Sequence, residues 1–311
     1  MMAVRLGINP LTWTNDDLPS LGGDTPLETC LSEGREAGFT GFELGQKFPR
    51  EAPALNAALG AHDLSLVSGW YSSRLLERGP EAEIEALQSH LALLEAGGAK
   101  VMVYCEVTRC VHGDITCPLS QRPRLDDDEW QRLCQGLERV GDYLASHGIQ
   151  LVYHHHLGTL IESQAEIERL MDATRDSVGL LLDLGHLHAA GGDPLTIARR
   201  YAKRIHHVHC KDVRQPILDD LRNRDRSFLA GVLDGLFTVP GDGDVAFLPT
   251  LEHLRQAGYH GWLVVEAEQD PAVAPPLAYA RLGYRHLHRL ATQAGFTLAR
   301  RSQVPQSPPG P

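Results

Sequence analysis

The chain has 311 residues, of which 42% are hydrophobic, so it can bury a large core. Its formal net charge of −11 and isoelectric point near 5.8 argue against nucleic acids and anionic membranes as partners. No run is apolar and long enough to span a bilayer, and residues 1–10 lack a signal-peptide core. The six cysteines form no Cys-x-x-Cys pair, so we expect a cytoplasmic protein with reduced thiols. A homo-oligomer is possible.

One unit recurs along the chain. A short apolar run ends in a polar residue, an amphipathic stretch follows, and a glycine-containing turn leads into the next run. The predicted strands occupy residues 5–9, 41–44, 64–68, 101–104, 150–154, 178–183, 205–209 and 262–266. Eight alternations predict one α/β domain, a (β/α)₈ TIM barrel over residues 1–301, with a doubly wound open sheet as the alternative.

Capping signals mark the helix boundaries. Thr25-Pro26-Leu27-Glu28 offers a capping Thr, Pro at the first helical position and Glu at the third, and Ser163 with Glu166 forms a capping box. Glycines that end helices are expected just before strands, at Gly38, Gly60, Gly148 and Gly258.

Two segments interrupt the alternation. Residues 105–126 and 213–246 follow the fourth and seventh strands and are predicted to be extended loops. Loops that follow strands lie over the active-site mouth of a barrel, so we expect both to cover a substrate. Gly241-Asp-Gly-Asp244 is predicted to be a turn ahead of a helix starting near Phe247. Residues 302–311 contain four prolines and no apolar periodicity, which predicts a disordered tail.

The fifth and sixth strands end in chemically active residues. Alternation places His154 and His156 on the inward face of the barrel and His155 on the opposite face. Asp183 ends a buried apolar strand, where an unpaired carboxylate is unfavourable, so a role in the site is expected. Capping of the turn that follows is the alternative role. His186 follows three residues later and can reach the same cavity.

The seventh and eighth strands repeat this arrangement. His207 and His209 share one face, Lys211 and Asp212 lie just beyond as predicted substrate-binding residues, and Glu266 ends the eighth strand. Carboxylates mixed with imidazoles suit Mn²⁺, Co²⁺, Zn²⁺ or Fe²⁺. The strand ends therefore predict an enzyme that depends on a divalent transition metal.

Other residues near strand ends are predicted to act on the substrate. Asn9 and Glu43 are predicted to bind it, and Trp70 offers an apolar wall for a sugar ring, with core packing as the alternative. Glu106 is predicted to be catalytic through proton transfer. Proton transfer is also open to Glu43, and salt bridging within the mouth is the alternative for both glutamates.

Longer motifs resemble the xylose-isomerase-like barrel superfamily of sugar isomerases, epimerases and dehydratases. They are Asp183-Leu-Gly-His186, Val208-His-Cys-Lys-Asp212, Gly241-Asp-Gly-Asp-Val-Ala-Phe247 and Val265-Glu266. Further motifs resemble the inosose dehydratases of inositol catabolism, and the likeness runs from about Arg5 to the final helix. These begin at Gly7, Gly22, Gly41 and Tyr153, the last reading Tyr153-His-His-His-Leu-Gly-Thr159.

The resemblance implies a TIM barrel, Mn²⁺ or Co²⁺ as cofactor, and loss of water from 2-keto-myo-inositol, a polyol ketone, to give a trihydroxycyclohexane-1,2-dione. The superfamily often carries Glu as its strand-five ligand, so the choice between His154 and His156 is open, and strand position favours His154. The catalytic acid and base are expected among Glu106, His156 and His186. The implied metal ligands are His154, Asp183, His209 and Glu266.

Two other functions are weighed against dehydration. A sugar or polyol isomerase or epimerase would use the same metal and keep the hydroxyl, so loss of water discriminates between them. A non-catalytic polyol-binding protein would bind without turnover. A nucleic-acid repair enzyme on this scaffold would need a basic face, which the net charge of −11 disfavours.

Overall fold

Eight parallel strands close into a barrel in the computed structural model, which describes residues 3–299. Each strand pairs with the next, and the eighth pairs with the first from Val4 opposite Gly261 to Ile8 opposite Val265. This closure confirms the predicted TIM barrel and excludes the open sheet. The strands are β1 Ala3–Ile8, β2 Gly41–Leu44, β3 Ser65–Ser73, β4 Val101–Glu106, β5 Gln150–His154, β6 Val178–Asp183, β7 Ile205–Cys210 and β8 Gly261–Val265.

Helices follow the strands along the chain. They are α1 Leu27–Ala37, α2 Ala52–Ala61, α3 Leu75–Arg78, α4 Pro80–Ala86, α5 Gln88–Gly97, α6 Asp127–Ser146, α7 Gln164–Ala173, α8 Leu184–Ala189, α9 Pro194–Tyr201, α10 Gln215–Asn223, α11 Phe228–Leu233, α12 Phe247–Gln256 and α13 Pro276–Gln293. A short strand, Thr297–Leu298, then pairs with β1. None of the helices within residues 3–299 has the length and apolarity needed to cross a membrane.

The lower half of the barrel is filled by apolar side chains. Val101, Val103, Val152 and Leu181 form one buried group there, and Val67, Val264 and the ring of Trp262 form another. Gly41 is required beside this ring, because a Cβ atom would lie 2.5 Å from Trp262. With the lower half closed in this way, the inward polar side chains are left at the carboxyl ends of the strands.

The capping predictions are confirmed in part. The Ser163 hydroxyl accepts from the amide of Glu166, whose carboxylate returns the bond, and Gly38 ends α1 in the left-handed region. The Thr25 cap is wrong: α1 starts one residue later, after Pro26, and no side chain caps it. Helix α12 starts at Phe247, as predicted.

The two predicted loops differ in structure. Residues 107–126, here called the β4 insertion, are irregular apart from the 3₁₀ turn Leu119–Gln121. Residues 211–246, called the β7 insertion, include the predicted loop of residues 213–246. They contain α10, α11 and a two-stranded ribbon that pairs Asp212–Val213 with Phe237–Thr238. The predicted tail, residues 302–311, lies outside the described residues.

The two insertions contact each other over the barrel mouth. The Leu119 amide donates to the carbonyl of Arg226 at 3.1 Å. The Ser120 amide and hydroxyl donate to the carboxylate of Asp225, at 3.2 and 2.5 Å. This contact joins segments 105 positions apart in the sequence and supports their predicted place above the site.

Candidate metal centre and active site

Four inward side chains converge at the carboxyl ends of β5 to β8. One donor atom from each lies within 4.8 Å of the others, and all four residues are buried. Strand alternation accounts for this, because each residue follows an inward position of its own strand by two, such as Val152 before His154 and Leu181 before Asp183. The four-ligand cluster consists of His154, Asp183, His209 and Glu266.

Hydrogen bonds on the far side of each ring orient the two imidazoles. Nδ1 of His154 lies 2.8 Å from the carbonyl oxygen of His155, so Nδ1 carries the proton and Nε2 is left with a lone pair. Nε2 of His209 donates to Glu43 at 3.1 Å, so its Nδ1 is the nitrogen that faces the cluster, where it contacts Oε2 of Glu266. Nε2 of His154 and Nδ1 of His209 face each other at 3.3 Å.

The cluster fits a divalent cation on the state of its oxygens. Oδ2 of Asp183 is buried and accepts no hydrogen bond, and Oε2 of Glu266 is buried in contact with Nδ1 of His209. Asp183 Oδ2 lies 3.5 Å from Nδ1 of His209 and 3.7 Å from Nε2 of His154. Two buried carboxylates gathered this closely are stabilised by a positive charge between them, which a metal ion would supply.

The pKa values describe the same preference for positive charge. Burial alone would lower the pKa of His209, but the carboxylates of Glu266 and Glu43 raise it well above its usual value. Burial, reinforced by the charge of His209, lowers the pKa of His154, so this imidazole is neutral and able to donate a lone pair. The pocket therefore attracts a cation and offers it both nitrogen and oxygen donors.

A second polar cluster lies beside the first and already contains a cation. Nε2 of His156 and Nε2 of His186 lie 3.7 and 3.4 Å from Oε1 of Glu268. The ammonium group of Lys211 contacts Glu268, lies 2.8 Å from Nε2 of His186, and reaches Oε1 of Glu266 at 3.1 Å. We call His156, His186, Lys211 and Glu268 the lysine cluster.

Charge neutralisation explains why lysine occupies this position. Burial alone would lower the pKa of Lys211, but Glu266 and Glu268 raise it, so the amine stays protonated. Burial and the charge of His156 lower the pKa of His186, which is therefore neutral. The Lys211 ammonium thus takes the place that a metal ion would need within this second group.

Glu43 lies beneath the four-ligand cluster and supports it. Its Oε1 accepts from Ser68 at 2.6 Å, from His207 at 2.8 Å and from His209 at 3.1 Å. Asn9, predicted to bind substrate, donates to Oε2 of Glu43 at 2.7 Å and accepts from the amide of Leu11. Both residues are held in contacts with the protein, and Glu43 fixes the ring of His209.

Glu106 lies outside the site, contrary to the catalytic prediction. β4 continues to Glu106, and alternation from the inward Val103 turns its side chain away from the barrel interior. Its carboxylate accepts from the Ser73 hydroxyl at 3.1 Å and from the amides of Thr108 and Leu76 at 2.9 and 3.3 Å. Glu106 therefore joins the end of β4 to α3.

Asp212 organises the β7 insertion, contrary to the prediction that it binds substrate. Its Oδ1 accepts from the amides of Val213 and Val245, both at 2.9 Å. Its Oδ2 accepts from those of Gly241 and Gly243 at 2.9 and 3.1 Å. Four bonds use the four acceptor sites of the carboxylate, so none is left for a ligand.

Two partly exposed rings border the buried imidazoles at the mouth. The Trp70 ring lies 5.3 Å from that of His154 and 5.8 Å from that of His156, so it borders the mouth, and its role as a wall for a sugar ring stays a prediction. His112, on the β4 insertion, lies 5.4 Å from the His156 ring. Phe228, from the β7 insertion, is fully buried and packs at 4.9 Å against His156.

The sequence predictions missed Glu268 and His112. Glu268 follows Glu266 by two residues, so alternation alone could have placed it on the inward face. His112 lies in an irregular segment that carries no periodic signal. His155, by contrast, was placed on the outer face, and its Nε2 accepts from the amide of Asp183 at 3.2 Å without joining either cluster.

A cavity away from the two clusters would have pointed elsewhere. It has a volume of about 1070 Å³, lies at the opposite end of the barrel and is lined by residues such as Arg5, Lys100, Gln150 and Trp262. None of the four-ligand cluster lines it. The convergence of unpaired donor atoms, which this cavity lacks, is the better guide to the site.

A family model described as xylose isomerase-like TIM barrel matches residues 31–290. The chain belongs to this family. It is 51% identical over 299 residues to the rhizopine catabolism protein MocC of Rhizobium meliloti, covering 96% of this chain and 92% of the relative. It is 46% identical over 288 residues to the inosose dehydratase of Lacticaseibacillus casei, covering 92% of this chain and 97% of that relative.

Among solved structures, the chain is similar to one titled as the IOLI protein with a binding zinc atom. The TM-score is 0.66 at 18% identity, and the match covers 94% of this chain and 99% of the other. At this identity the likeness concerns the fold.

Proposed function

We propose that this member of the family is an inosose dehydratase, a hydro-lyase that converts 2-keto-myo-inositol to a trihydroxycyclohexane-1,2-dione. The observation that carries the proposal is the four-ligand cluster standing beside the lysine cluster. This pairing occurs in a chain that is 46% identical to an enzyme named for the reaction. The first cluster fits a cation, and the second holds the proton-transferring groups that removal of hydroxide needs.

The metal would be Mn²⁺ or Co²⁺, held by His154, Asp183, His209 and Glu266. Two nitrogen and two oxygen donors suit these transition metals. His154 is preferred to His156 as the strand-five ligand, because Nε2 of His154 faces Asp183 and His209 whereas that of His156 faces Glu268. When bound, such a metal supplies Lewis acidity toward the oxygens of a ketone and its neighbouring hydroxyl.

His156 is placed to accept the proton on the carbon beside the ketone. Its Nδ1 donates to the carbonyl of Leu157 at 2.7 Å, which leaves Nε2 with the lone pair that a base requires. The packing of Phe228 and His186 on its ring, with centroids at 4.9 and 3.8 Å, fixes the direction of that lone pair.

Lys211 and His186 are placed to provide the proton for the leaving hydroxyl. They are joined by a 2.8 Å hydrogen bond, and Glu268 holds the ammonium group in position. In the complete reaction the C–H bond gives its proton to His156 and the C–O bond breaks. The hydroxide leaves as water with the proton from this pair. The resulting enol then becomes the diketone.

The decisive experiment incubates the purified protein with 2-keto-myo-inositol after loading with Mn²⁺ or Co²⁺. We expect diketone absorbance and a product lighter by one water, with loss of both after chelation. A stereoisomer of the substrate without diketone would identify an epimerase. Binding without turnover would identify a polyol-binding protein, and full activity in metal-stripped protein would exclude the proposed site. The cytoplasmic location and the oligomeric state remain predictions from sequence.

Single variants separate the two proton transfers. In D₂O, His186→Asn should stop water loss while the substrate still exchanges its proton beside the ketone, and His156→Asn should stop both. Glu106→Gln, which changes a buried carboxylate outside the site, is the control that keeps both. NMR of substrate and product, with metal content measured for each variant, distinguishes these outcomes. Wild-type dehydration by His186→Asn would show that the acid lies elsewhere.

A further inference from the structure

We infer that His112 is a substrate-binding residue that recognises one ring hydroxyl of the cyclic polyol ketone. The inference rests on the proposed function for the nature of the substrate. It adds to the site a residue from the β4 insertion, outside the two clusters that hold the metal ligands and the proton-transferring groups.

The first observation is the position of the ring. His112 lies edge-on to the buried imidazole of His156, with ring centroids 5.4 Å apart and an interplanar angle of 65°. Trp70 contacts His156 in the same manner at 5.8 Å and 72°. Both outer rings are partly exposed whereas His156 is buried, so His112 and Trp70 border the path to the clusters.

The second observation is an unpaired polar atom. Nδ1 of His112 is buried, and no group within residues 3–299 forms a hydrogen bond with it. Buried polar atoms of this kind are rarely left unsatisfied, and a ligand that binds at the mouth can supply the partner. Trp70 presents a flat apolar surface at the same opening, whereas His112 presents a hydrogen-bonding group there.

The chemical state of the ring selects the class of ligand. Burial, with the nearby imidazole of His156, lowers the pKa of His112 to about 3, so the imidazole is neutral. A neutral imidazole has one donor and one acceptor, which matches a hydroxyl group and does not favour an anion. Each ring hydroxyl of an inosose can form both bonds.

The placement of His112 is built into the fold. The amide of Val111 donates to the carbonyl of Gly158 at 2.9 Å, which fixes the β4 insertion against the chain that follows β5. Gly158 has φ +77°, and a Cβ there would lie 3.1 Å from the Cα of His112. Arg122 strengthens this contact by donating to the carbonyl of Thr159 at 3.1 Å and to both oxygens of Glu166 at 2.8 and 2.9 Å.

The test compares His112→Phe, His112→Asn and His112→Gln in the metal-loaded enzyme. Phe keeps a ring beside His156 and removes the hydrogen bond, whereas Asn retains a polar atom near the position of Nδ1 and Gln retains one near Nε2. We expect kcat/KM to fall by roughly 10- to 100-fold for Phe and Gln, the cost of a buried hydrogen bond left unmade, and to recover in part for Asn. Metal content should stay at the wild-type value.

Monodeoxy inososes identify the hydroxyl. For one analogue, the kcat/KM of the wild-type enzyme should fall by the same amount, roughly 10- to 100-fold. His112→Phe should not lower the kcat/KM for that analogue further, because His112 and the missing hydroxyl form a single interaction. His260→Phe, at the opposite end of the barrel, is the control and should match wild type for every substrate. If His112→Phe and wild type show the same substrate preferences, the inference is wrong.

The proposed function can fail independently of this inference. In that case wild-type protein forms no diketone, and the affinity of metal-loaded wild type and His112→Phe for 2-keto-myo-inositol is compared by calorimetry. Weaker binding by His112→Phe would support the contact without dehydration, and equal binding would overturn it.

Discussion

The two polar clusters at the barrel mouth contain similar residues but differ in charge. In the four-ligand cluster, the carboxylates of Asp183 and Glu266 give −2 when the imidazoles are neutral. In the lysine cluster, Glu268 contributes −1 and Lys211 contributes +1, so the sum is zero. The first cluster leaves Oδ2 of Asp183 without a hydrogen bond, whereas the second has its cation in place.

The difference shows that residue type alone does not define a metal site. Both clusters present buried imidazoles and carboxylates within the same distance of one another. What separates them is uncompensated charge, because a buried carboxylate is stable only with a cation or hydrogen-bond donors beside it. Each prediction below changes one side of this comparison.

The largest effect should follow removal of a ligand carboxylate. Asp183→Asn should lose its metal on dialysis and with it the dehydratase activity, because the amide brings neither the charge nor the free oxygen of Asp183. Glu268→Gln is the matched control, an equally buried carboxylate that should keep the metal. Elemental analysis of both variants checks this, and metal loss in Glu268→Gln alone would reverse the roles of the clusters.

Removing the resident cation should turn the lysine cluster into a second metal site. Lys211→Met leaves His156, His186 and Glu268 with uncompensated charge and should be destabilised by about 3–5 kcal/mol, the cost of breaking a buried ion pair. Added Co²⁺ should restore stability, with metal content rising to two ions per chain. Lys211→Arg, which keeps the charge, should stay at one. Unchanged metal content in Lys211→Met would show that charge is not what excludes a metal here.

A smaller effect is expected from the support beneath the four-ligand cluster. Glu43→Gln weakens the hydrogen bond that orients His209 and should lower metal affinity by roughly 10- to 100-fold. Ser68→Ala, which removes a different donor to the same oxygen, should change affinity less. Competition with a chelator measures both, and equal affinities in Glu43→Gln and wild type would contradict the orienting role.

The smallest effect on metal binding should come from replacing His155, which lies between His154 and His156 in the sequence. His155→Ala should keep full metal content because its side chain joins neither cluster. It should lose about 1–3 kcal/mol of unfolding free energy, since the buried amide of Asp183 loses its acceptor. Loss of metal in this variant would mean that the orientation of Asp183 depends on His155.

Continuous apolar strands were the most predictable part of the molecule. The bounds of β2, β5 and β6 agree with the predicted 41–44, 150–154 and 178–183, because a buried parallel strand reads as an uninterrupted apolar run. The same alternation indicated which end residues point inward. The predicted end of β3 was wrong, because the strand continues through Gly69 for five residues beyond it.

Residues outside regular strands were harder to predict. Glu106 was predicted to be catalytic because the direction of its side chain depends on where β4 ends, which the sequence did not show. Asp212 was predicted to bind substrate because the sequence gives no sign that four backbone amides surround its carboxylate. His112 was missed because an irregular segment has no period from which its neighbours can be inferred. Chemistry at strand ends is thus readable from sequence, whereas chemistry brought in by insertions needs tertiary contacts.

The four-ligand cluster also affects how long the protein survives. A metal that binds only the folded chain shifts the folding equilibrium by mass action, by about 2.7 kcal/mol when free metal is 100 times its dissociation constant. Proteases that attack opened molecules respond to that equilibrium. We expect the chain to be degraded faster by protease after chelation, with Asp183→Asn insensitive to added metal. A cell short of the metal would then lose the protein as well as its activity.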